Sequence, residues 1–378
     1  MRVLVVASRF PWPPITGDRL RTTLWLEALA GKAEVTLVTP PGSLPAGESR
    51  FTHVVAWSSV GQAARAALAA MRRGLPATAL LAAGRGWAGA LARAGGPFDA
   101  AVVVLARTDP WVFPQLRARR TVLDAIDSLA ANLAERARHA RGIGAALWRI
   151  ESARTARLEA DAAGRYDRVV VVADSEAAAF GNVASVIPIG VGVRPEGVGA
   201  RDFDVGFTGR LAYFANRDAA RLLLDGIWPR IRAALPDATL LLAGADAPAF
   251  VRRRHGHDGI TVVSPMADAA ALLRRVRVAL LPLRFGTGQS LKALEAAEAS
   301  CAIVGTPAGI RGVGPLTDAA VVADQPDALA ARAVELLNDE TRRQEVGARV
   351  RAIVVAGYER RESCARLAAI ALGDLPSH

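Results

Sequence analysis

The sequence predicts an α/β protein with two doubly wound domains that face each other across a cleft. Short apolar runs alternate with helical stretches in both halves, and a glycine-rich segment separates the halves. A chain of 378 residues with 52% hydrophobic residues is long enough for two cores. This alternation is typical of parallel sheets that are covered by helices on both faces.

The first half opens with a β-branched run from Val3 to Ala7, which predicts a strand. A Pro/Gly loop ends at Gly17, and Asp18 is expected to cap a helix that begins at Arg19. Further apolar runs predict strands over residues 35–39, 54–57, 101–105, 121–124 and 169–173.

The stretch from Pro188 to Arg201 is rich in glycine and has no helical period, so we expect a linker there. The second half repeats the α/β alternation. Its predicted strands are residues 203–208, 239–243, 261–263, 278–282 and 302–305, and its predicted helices are residues 218–234, 268–274 and 289–299.

The formal charge of +11 comes almost wholly from arginine, because Lys32 and Lys292 are the only two lysines among the 47 basic residues. Such a charge is compatible with nucleic acid, an anionic membrane surface or phosphate-bearing substrates. The basic residues are not interleaved with aromatic ones, which argues against a stacking platform for nucleic acid.

The two cysteines, Cys301 and Cys364, are far apart and offer neither a disulfide framework nor a CxxC site. We therefore expect a cytoplasmic protein. No stretch is apolar enough for a spanning helix, so any membrane contact is expected to be peripheral, at the inner face.

The strongest motif is the segment from Phe285 to Ala296, which follows a predicted strand and opens a helix. Gly286 and Gly288 let the backbone approach an anion, and the free amides of a first helical turn attract phosphate. Lys292 and Glu295 are three positions apart on one helix face, so one ligand can meet a cation and an acceptor for ribose hydroxyls. The alternative is a glycine turn followed by a surface ion pair.

Three weaker signals accompany this motif. Gly209 and Arg210 end the first strand of the second half, where an arginine can fork onto a diphosphate, although 45 arginines provide many such positions. Gly17 lies in a glycine turn before the first helix, and a functional turn and an ordinary loop are equally open there. Asp124 and Asp127 follow a first-half strand, where a catalytic acid or base and a helix cap are both open.

Several other classes of site lose support. Asp202 and Asp204 form a DxD pattern, but they stand at a strand entrance, and we interpret them as solvated rather than metal-binding. The five histidines never pair at a ligand spacing with a third ligand, so no metal site is expected. There is no G-x-S-x-G, and no GxGxxG follows a strand, which argues against hydrolases and dinucleotide-dependent dehydrogenases.

The order of these parts resembles the GT-B nucleotide-sugar glycosyltransferases, and most closely the retaining family-4 enzymes (glycosyltransferase group 1). The resemblance spans nearly the whole chain, and its last segment is the most specific. Its carriers are RVLVVASRFPWPPITGDRLRTTLWLEAL, RYDRVVVVADSEAAAF, FTGRLAYFANRDAARLLL, PDATLLLAGADAP and PLRFGTGQSLKALEAAEASCAIVGTPAGIRGV.

The resemblance implies two Rossmann-like domains: an N-terminal acceptor domain over residues 1–188 and a C-terminal nucleotide-sugar domain over residues 203–360. It also implies a helical segment over residues 361–378 that crosses back to the first domain. Arg210, beside Gly209, would bind the donor diphosphate, Glu295 would bind the ribose, and the Gly17 loop would meet the donor from across the cleft. The amides after Gly288 would bind a phosphate, and they belong to Gln289, Ser290 and Leu291.

The chain departs from the family pattern at two functional positions. The first of the family's two glutamates falls on Thr287, and its basic residue five positions after Arg210 falls on Ala215. We propose that Lys292 supplies the missing positive charge.

The predicted function is therefore sugar transfer from a UDP- or GDP-sugar to an acceptor such as a natural product, a surface glycan or a lipid, with retention and without metal or other cofactor. Arg210 and Lys292 would stabilise the leaving diphosphate, and Asp127 would orient or deprotonate the acceptor. One alternative is a non-catalytic protein that binds nucleotide sugars or partners on the same scaffold. Another is a nucleic-acid-binding protein, which is disfavoured for the reason given above.

Overall fold

The computed structural model describes residues 1–195 and 200–373. The chain divides into two compact units, one made of residues 1–189 with the segment from Arg361 onward and the other made of residues 190–360. Residues 196–199 of the predicted linker and residues 374–378 of the predicted last segment lie outside the described residues.

The first unit is built on a parallel sheet of seven strands in the order β3-β2-β1-β4-β5-β6-β7. Helices cover the sheet, and the middle strands are buried along nearly their whole length because their side chains are apolar on both faces. The strands are β1 (Arg2–Ala7), β2 (Glu34–Thr39), β3 (Thr52–Val55), β4 (Phe98–Val104), β5 (Ala118–Ile126), β6 (Arg168–Val171) and β7 (Ala184–Val186).

The helices of this unit are α1 (Gly17–Leu29), α2 (Val60–Arg72), α3 (Ala77–Ala83), α4 (Trp87–Ala94), α5 (Asp109–Val112), α6 (Leu129–His139), α7 (Gly142–Ala163) and α8 (Asp174–Ala177). Short 3₁₀ helices span Ala106–Thr108, Phe113–Gln115 and Gly181–Val183. The prediction that Asp18 caps the first helix is wrong. The N-cap is Thr16, and its hydroxyl donates to the Asp18 carboxylate over 2.7 Å, so Asp18 already lies inside the first turn.

The second unit is built on a parallel sheet of six strands in the order β10-β9-β8-β11-β12-β13. The strands are β8 (Phe203–Thr208), β9 (Leu240–Ala243), β10 (Ile260–Val263), β11 (Val276–Leu281), β12 (Ala302–Gly305) and β13 (Val321–Val322). The helices are α9 (Phe214–Arg221), α10 (Trp228–Ala234), α11 (Ala249–Arg252), α12 (Ala269–Leu273), α13 (Leu291–Glu298), α14 (Pro307–Ile310), α15 (Leu316–Ala319), α16 (Pro326–Asn338), α17 (Glu340–Gly357) and α18 (Arg360–Leu372), which from Arg361 onward belongs to the first unit.

One long helix was predicted from Asp218 to Ala234, and the structure extends it at its start. The helical stretch begins at Phe214, and a π-helical segment, Leu222–Ile227, joins α9 to α10. The whole stretch is therefore continuous from residue 214 to residue 234.

Both sheets reverse their strand order at one point, between β1 and β4 in the first and between β8 and β11 in the second. In doubly wound sheets, ligands bind outside the carboxyl ends of the strands at this reversal. The segments after β1, β4, β8 and β11 are therefore the places in each unit where a ligand site is expected.

Every helix within residues 1–195 and 200–373 is too short or too polar to cross a membrane. Both cysteines are buried thiols, Cys301 in the second unit and Cys364 in the first.

Candidate functional site

The carboxyl ends of β8 and β11 bring two predicted site residues together. Gly209 follows β8 with a φ of 144°, and a Cβ there would lie 3.4 Å from the Cε atom of Lys292 and 3.0 Å from the amide nitrogen of Asn216. The Lys292 side chain therefore runs beside bare backbone at the strand-order reversal. A side chain at residue 209 would be strained by its φ and crowded by both neighbours.

The glycine loop after β11 is held in place by an arginine that sequence reasoning did not single out. Arg311 donates from Nε to the carbonyl of Gly288 over 3.1 Å and from a terminal nitrogen to the carbonyl of Thr287 over 2.7 Å. A Cβ on Gly286, whose φ is 141°, would lie 2.6 Å from the same guanidinium. Glycine is therefore required at residue 286 for Arg311 to reach the loop.

Ser290 links the loop to the first turn of α13. Its amide donates to the carbonyl of Arg311 over 2.9 Å, and its hydroxyl donates to the carbonyl of Gly309 over 2.6 Å. Since the hydroxyl is engaged there, Ser290 is the N-cap of α13 without a side-chain capping hydrogen bond. The prediction that the Ser290 amide binds a phosphate is therefore wrong, because that N–H is already donated to Arg311. The first amides of α13, from Leu291 onward, are left uncapped by a side chain, which is the local condition for anion binding at a helix start.

Lys292 and Glu295 have perturbed acidities because both are enclosed by protein. Burial lowers the pKa of Lys292 to about 8, and Arg311 lowers it further while Glu295 opposes the shift. Burial also raises the pKa of Glu295 to about 7, against the opposing charge of Lys292. Neither side chain has an ion-pair partner within 4 Å in the part of the chain that the structure describes. At pH 7, Lys292 is therefore mainly charged and Glu295 is about half ionised.

Arg210 lies at the surface beside this group. Its Nε donates to Asp246 over 2.9 Å, and about half of each side chain is exposed. The carbonyl of Arg210 accepts from the Asn216 side chain over 2.9 Å, which fixes the turn after β8. Asp246 was not predicted, since its position depends on the pairing of β9 with β8.

The two departures from the family pattern have structural counterparts. Ala215 is buried in the hydrophobic core of the second unit at 2% exposure. Thr287 presents its carbonyl to Arg311. Arg311 is thus a second cation close to Lys292, in addition to the lysine that we proposed from the sequence.

In the first unit, Gly17 opens α1, and a Cβ there would meet nothing within 4 Å. The position therefore has room for a side chain or for a ligand. The expectation that this loop meets the donor stays a prediction.

Asp124 is neither a helix cap nor a free carboxylate. It accepts from Arg21 Nε over 2.6 Å, from the Trp25 indole and from the amide of Ile126 over 3.0 Å. The Arg21 and Asp124 side chains are both 0% exposed. Asp124 therefore anchors α1 to the sheet, and neither of the two roles left open for it applies.

Asp127 is not a helix cap either, because Ser128 caps α6 by accepting from the amide of Ala131 over 3.1 Å. Asp127 is partly exposed just after β5. Burial raises the pKa of Glu159 and lowers that of Arg107, and the negative charge of Asp127 adds to the first shift and opposes the second. The catalytic role of Asp127 stays a prediction.

Glu159 is a buried carboxylate that the sequence did not reveal. It accepts from the Ser128 hydroxyl over 2.8 Å and from the amide of Leu129 over 2.7 Å. Burial nevertheless raises its pKa to about 7. Glu159 thus stabilises the start of α6, directly after Asp127.

Asp202 and Asp204 lie at the amino end of β8, away from Arg210. Asp202 accepts from Arg275 over 2.7 Å, and Asp204 accepts from Arg277 over 2.8 Å. The interpretation of both carboxylates as solvated is therefore incomplete, because each is also paired with an arginine. Among the described residues, no group of three or more His, Cys, Asp or Glu side chains is placed to hold a metal ion.

Comparison with known proteins relates this geometry to a family. Residues 202–339 match the family model described as "Glycosyl transferases group 1". A search of curated proteins found no match to the chain.

Solved structures match over nearly the whole chain. Sucrose-phosphate synthase from Thermosynechococcus elongatus is 14% identical, with a TM-score of 0.71 over 99% of this chain and 98% of that one. WaaG, a glycosyltransferase involved in lipopolysaccharide biosynthesis, is 16% identical, with a TM-score of 0.66 over 99% of this chain and 100% of that one. HepE from Anabaena in complex with UDP is 13% identical, with a TM-score of 0.65 over the same two shares, 99% and 100%. TarM is longer, and this chain spans 54% of its length.

The matched domain and the fold agree. The chain has the GT-B fold of these solved structures, and residues 202–339 of its second unit match the glycosyltransferase group 1 model. Two sheets of parallel strands with covering helices give it the α/β class that the sequence predicted.

Proposed function

We propose that the protein transfers a sugar from a nucleoside diphosphate sugar to an acceptor hydroxyl, with retention of configuration and without a metal ion. The observation that carries this proposal is the placement of Lys292 beside Gly209 at the strand-order reversal of the second sheet, next to the glycine loop. Two backbone segments and one cation there provide what a diphosphate needs.

The charges of this site suit a leaving diphosphate. Lys292, the Arg311 guanidinium and the uncapped amides of α13 all offer positive potential to the same loop. Groups fixed before the reaction stabilise charge as it develops on the leaving group, and they need no reorganisation at that moment. This supports Lys292 as a catalytic residue in a site without metal.

Arg210 is expected to exchange Asp246 for the donor diphosphate. An exposed ion pair of this kind contributes only about 0–1 kcal/mol, so a phosphate that accepts a bidentate guanidinium can displace the carboxylate. Glu295, three residues after Lys292, is then available to accept hydrogen bonds from the ribose.

Two neighbours, TarM and HepE, bear on the base and the sugar of the donor, and a TarM mutant has been solved with UDP. HepE has been solved with UDP and also with UDP and glucose. A uridine nucleotide is therefore the first donor to test here, and GDP is the second.

The first unit would receive the acceptor, a natural product, a surface glycan or a lipid. Asp127 would orient or deprotonate the acceptor hydroxyl, since it is partly exposed and its carboxylate does not cap α6. The Gly17 loop would contact the donor from this unit.

A second candidate function is binding of nucleotide sugars without catalysis, and Thr287 in place of a glutamate favours it. The two functions differ in turnover. Release of free sugar or of a transfer product from a UDP- or GDP-sugar supports the enzyme, and tight binding without any turnover supports the binding protein.

The decisive experiment is a thermal-shift screen of the full chain with nucleoside diphosphates and their sugars, followed by titration calorimetry. A ligand that binds only the folded state raises the melting temperature by mass action. Lys292→Ala should weaken nucleoside diphosphate binding by about 1.5–3 kcal/mol, the range for hydrogen bonds to charged groups. The control is Lys32→Ala, which removes the chain's other lysine at an exposed position.

Unchanged affinity in Lys292→Ala would exclude Lys292 from donor binding and remove the basis of the proposal. Turnover should also persist in EDTA. Complete loss in EDTA that Mg²⁺ or Mn²⁺ restores would contradict the metal-independent mechanism and would return attention to Asp202 and Asp204.

A further inference from the structure

Three arginines converge at the strand-order reversal of the first sheet. The corresponding position in the second sheet holds the glycine loop. Arg9 follows β1, Arg107 follows β4 within a 3₁₀ helix, and Arg85 lies between α3 and α4. We call these three residues the arginine cluster. The sequence alone does not distinguish them from the chain's other 42 arginines.

The cluster is organised around Ser8. Arg107 donates to the Ser8 hydroxyl from two nitrogens, over 3.0 and 3.3 Å, and Arg85 donates to the Ser8 carbonyl. Ser8 itself is buried at 3% exposure. Two guanidinium groups are thus held by one residue at the carboxyl end of β1.

The charges of the cluster are not balanced. Asp18 lies 3.5 Å from Arg9 and 3.8 Å from Arg107, and in the described residues it is the carboxylate within 4 Å of the cluster. Three guanidinium groups face Asp18, and Asp127 also acts on Arg107, so the cluster keeps a net positive charge.

The arginines also act on one another. Burial lowers the pKa of both Arg85 and Arg107, and the charge of Arg9 lowers each further. Holding like charges together in a partly buried place is unfavourable unless an anion joins them.

We propose that the arginine cluster binds a phosphate group carried by the acceptor. A phosphate ester bears about −1.5 to −2 charges at pH 7 and has three strong acceptor oxygens, whereas a carboxylate bears a single charge. Guanidinium groups bind phosphate through paired N–H donors, and Arg85, Arg107 and Arg9 still have nitrogens that Ser8 and Asp18 do not occupy.

The acceptor is the chosen carrier because the cluster belongs to the unit that contains Asp127, whereas Arg210 and Lys292 in the other unit already account for the donor diphosphate. This step rests on the proposed function. The presence of an anion site in the cluster does not.

The test is titration calorimetry of the full chain with three probes: inorganic phosphate, a hexose 6-phosphate and the matching neutral hexose. The variants are Arg107→Gln and Arg85→Gln, each of which removes one charge and keeps a hydrogen-bond donor. Arg65→Gln is the matched control, because Arg65 is exposed on α2 and its loss changes the net charge equally. Melting temperatures of all variants without ligand verify that they fold.

We expect phosphate and the hexose phosphate to bind, and the neutral hexose to bind at least about tenfold more weakly than its phosphate. In the Lys292→Ala background, which removes the lysine of the second unit's glycine loop, Arg107→Gln and Arg85→Gln should each weaken phosphate binding by about tenfold or more, while Arg65→Gln leaves it unchanged. If either cluster variant unfolds, Arg107→Lys and Arg85→Lys, which keep the charge but lose the fork, replace them and should weaken binding less.

Equal binding of the phosphate and the neutral hexose, or phosphate binding that survives both cluster substitutions, overturns the proposal. Loss of nucleoside diphosphate binding in Arg107→Gln, as large as the loss of phosphate binding, also overturns it, because the cluster would then serve the donor. The dependence of nucleoside diphosphate binding on Lys292 is a separate measurement. If Lys292→Ala does not weaken that binding, the proposed donor site is rejected, and the phosphate titrations still test the arginine cluster.

Discussion

The two units have the same strand order around their reversal points, yet they present different chemistry there. After β11 the second unit has a glycine loop, uncapped helix amides and one enclosed lysine. After β1 and β4 the first unit has three arginine side chains around a buried serine. The fold therefore fixes where a ligand site is expected in each unit, while the local backbone and side chains differ between the two.

The units also differ in what supports the site. In the second unit, Arg311 binds the carbonyls of the glycine loop from the side. In the first, the Arg21–Asp124 pair lies fully buried beneath α1. Arginine thus has structural duties in both units, which accounts for part of the basic composition without reference to ligands.

Asp127→Asn gives the largest effect that we expect, and it tests whether the first unit contributes chemistry. Loss of a general base typically reduces the rate by about a hundred- to ten-thousand-fold. Turnover should fall by this factor while the melting temperature stays close to that of the parent, because Asp127 does not cap α6. Full turnover of the variant with its true acceptor would remove Asp127 from the mechanism.

Asp124→Asn should have the opposite effect: it should lower stability and leave turnover little changed. It leaves the buried Arg21 guanidinium without a counter-charge, and breaking a buried pair costs about 3–5 kcal/mol. Denaturant unfolding should report this loss of stability, with turnover per folded molecule little changed. A stable variant with lost turnover would reverse the roles of the two aspartates.

Gly286→Ala tests the glycine loop of the second unit. Its Cβ would lie 2.6 Å from Arg311, and the φ of 141° is strained for alanine, a penalty of about 1–3 kcal/mol. Nucleoside diphosphate affinity should fall as the loop shifts. Gly314→Ala is the control, since its Cβ would meet nothing within 4 Å, and equal effects of both substitutions would contradict the importance of the loop.

The smallest effect that we expect is a pH dependence of nucleotide affinity, which arises from Lys292 in the second unit. Lys292 has a pKa of about 8, so it is mainly charged below pH 8 and mainly neutral above it. Phosphate favours the charged form, and nucleotide affinity should therefore fall by up to about tenfold between pH 7 and pH 9. Calorimetry of Lys292→Ala should lack this decline, and a decline that persists there would assign it to another group.

Much of the fold could be predicted because buried parallel strands are continuous apolar runs. The runs at residues 203–208 and 302–305 coincide with β8 and β12. The strands β7 and β13 were missed, since three and two residues are too few to carry a pattern. Asp18 was misassigned because a cap depends on backbone geometry, and Thr16, two residues earlier, has the extended geometry of the N-cap.

The site was predictable only where chemistry is local in sequence. Gly286, Lys292 and Glu295 are close along the chain, and one helix start explains them together. Arg311 and the arginine cluster reach their partners from distant segments, and the abundance of arginine hides them. The sequence GIRGV after β12 was the available signal for Arg311, because a glycine on either side of an arginine indicates close backbone approach.

The chain enters and leaves the second unit at neighbouring points. Val191 donates to the carbonyl of Tyr358 and accepts from the amide of Arg360, both over 2.9 Å, and Gly190 has no room for a Cβ beside Glu359. The helix that follows returns buried side chains such as Leu367 and Ile370 to the first unit. Residues 190–360 are thus inserted into the sequence of the first unit. A gene for the second unit alone can be cut at both boundaries, because the two ends of this segment lie side by side. A stop codon near residue 360, by contrast, would damage the first unit, because it removes the helix that packs there.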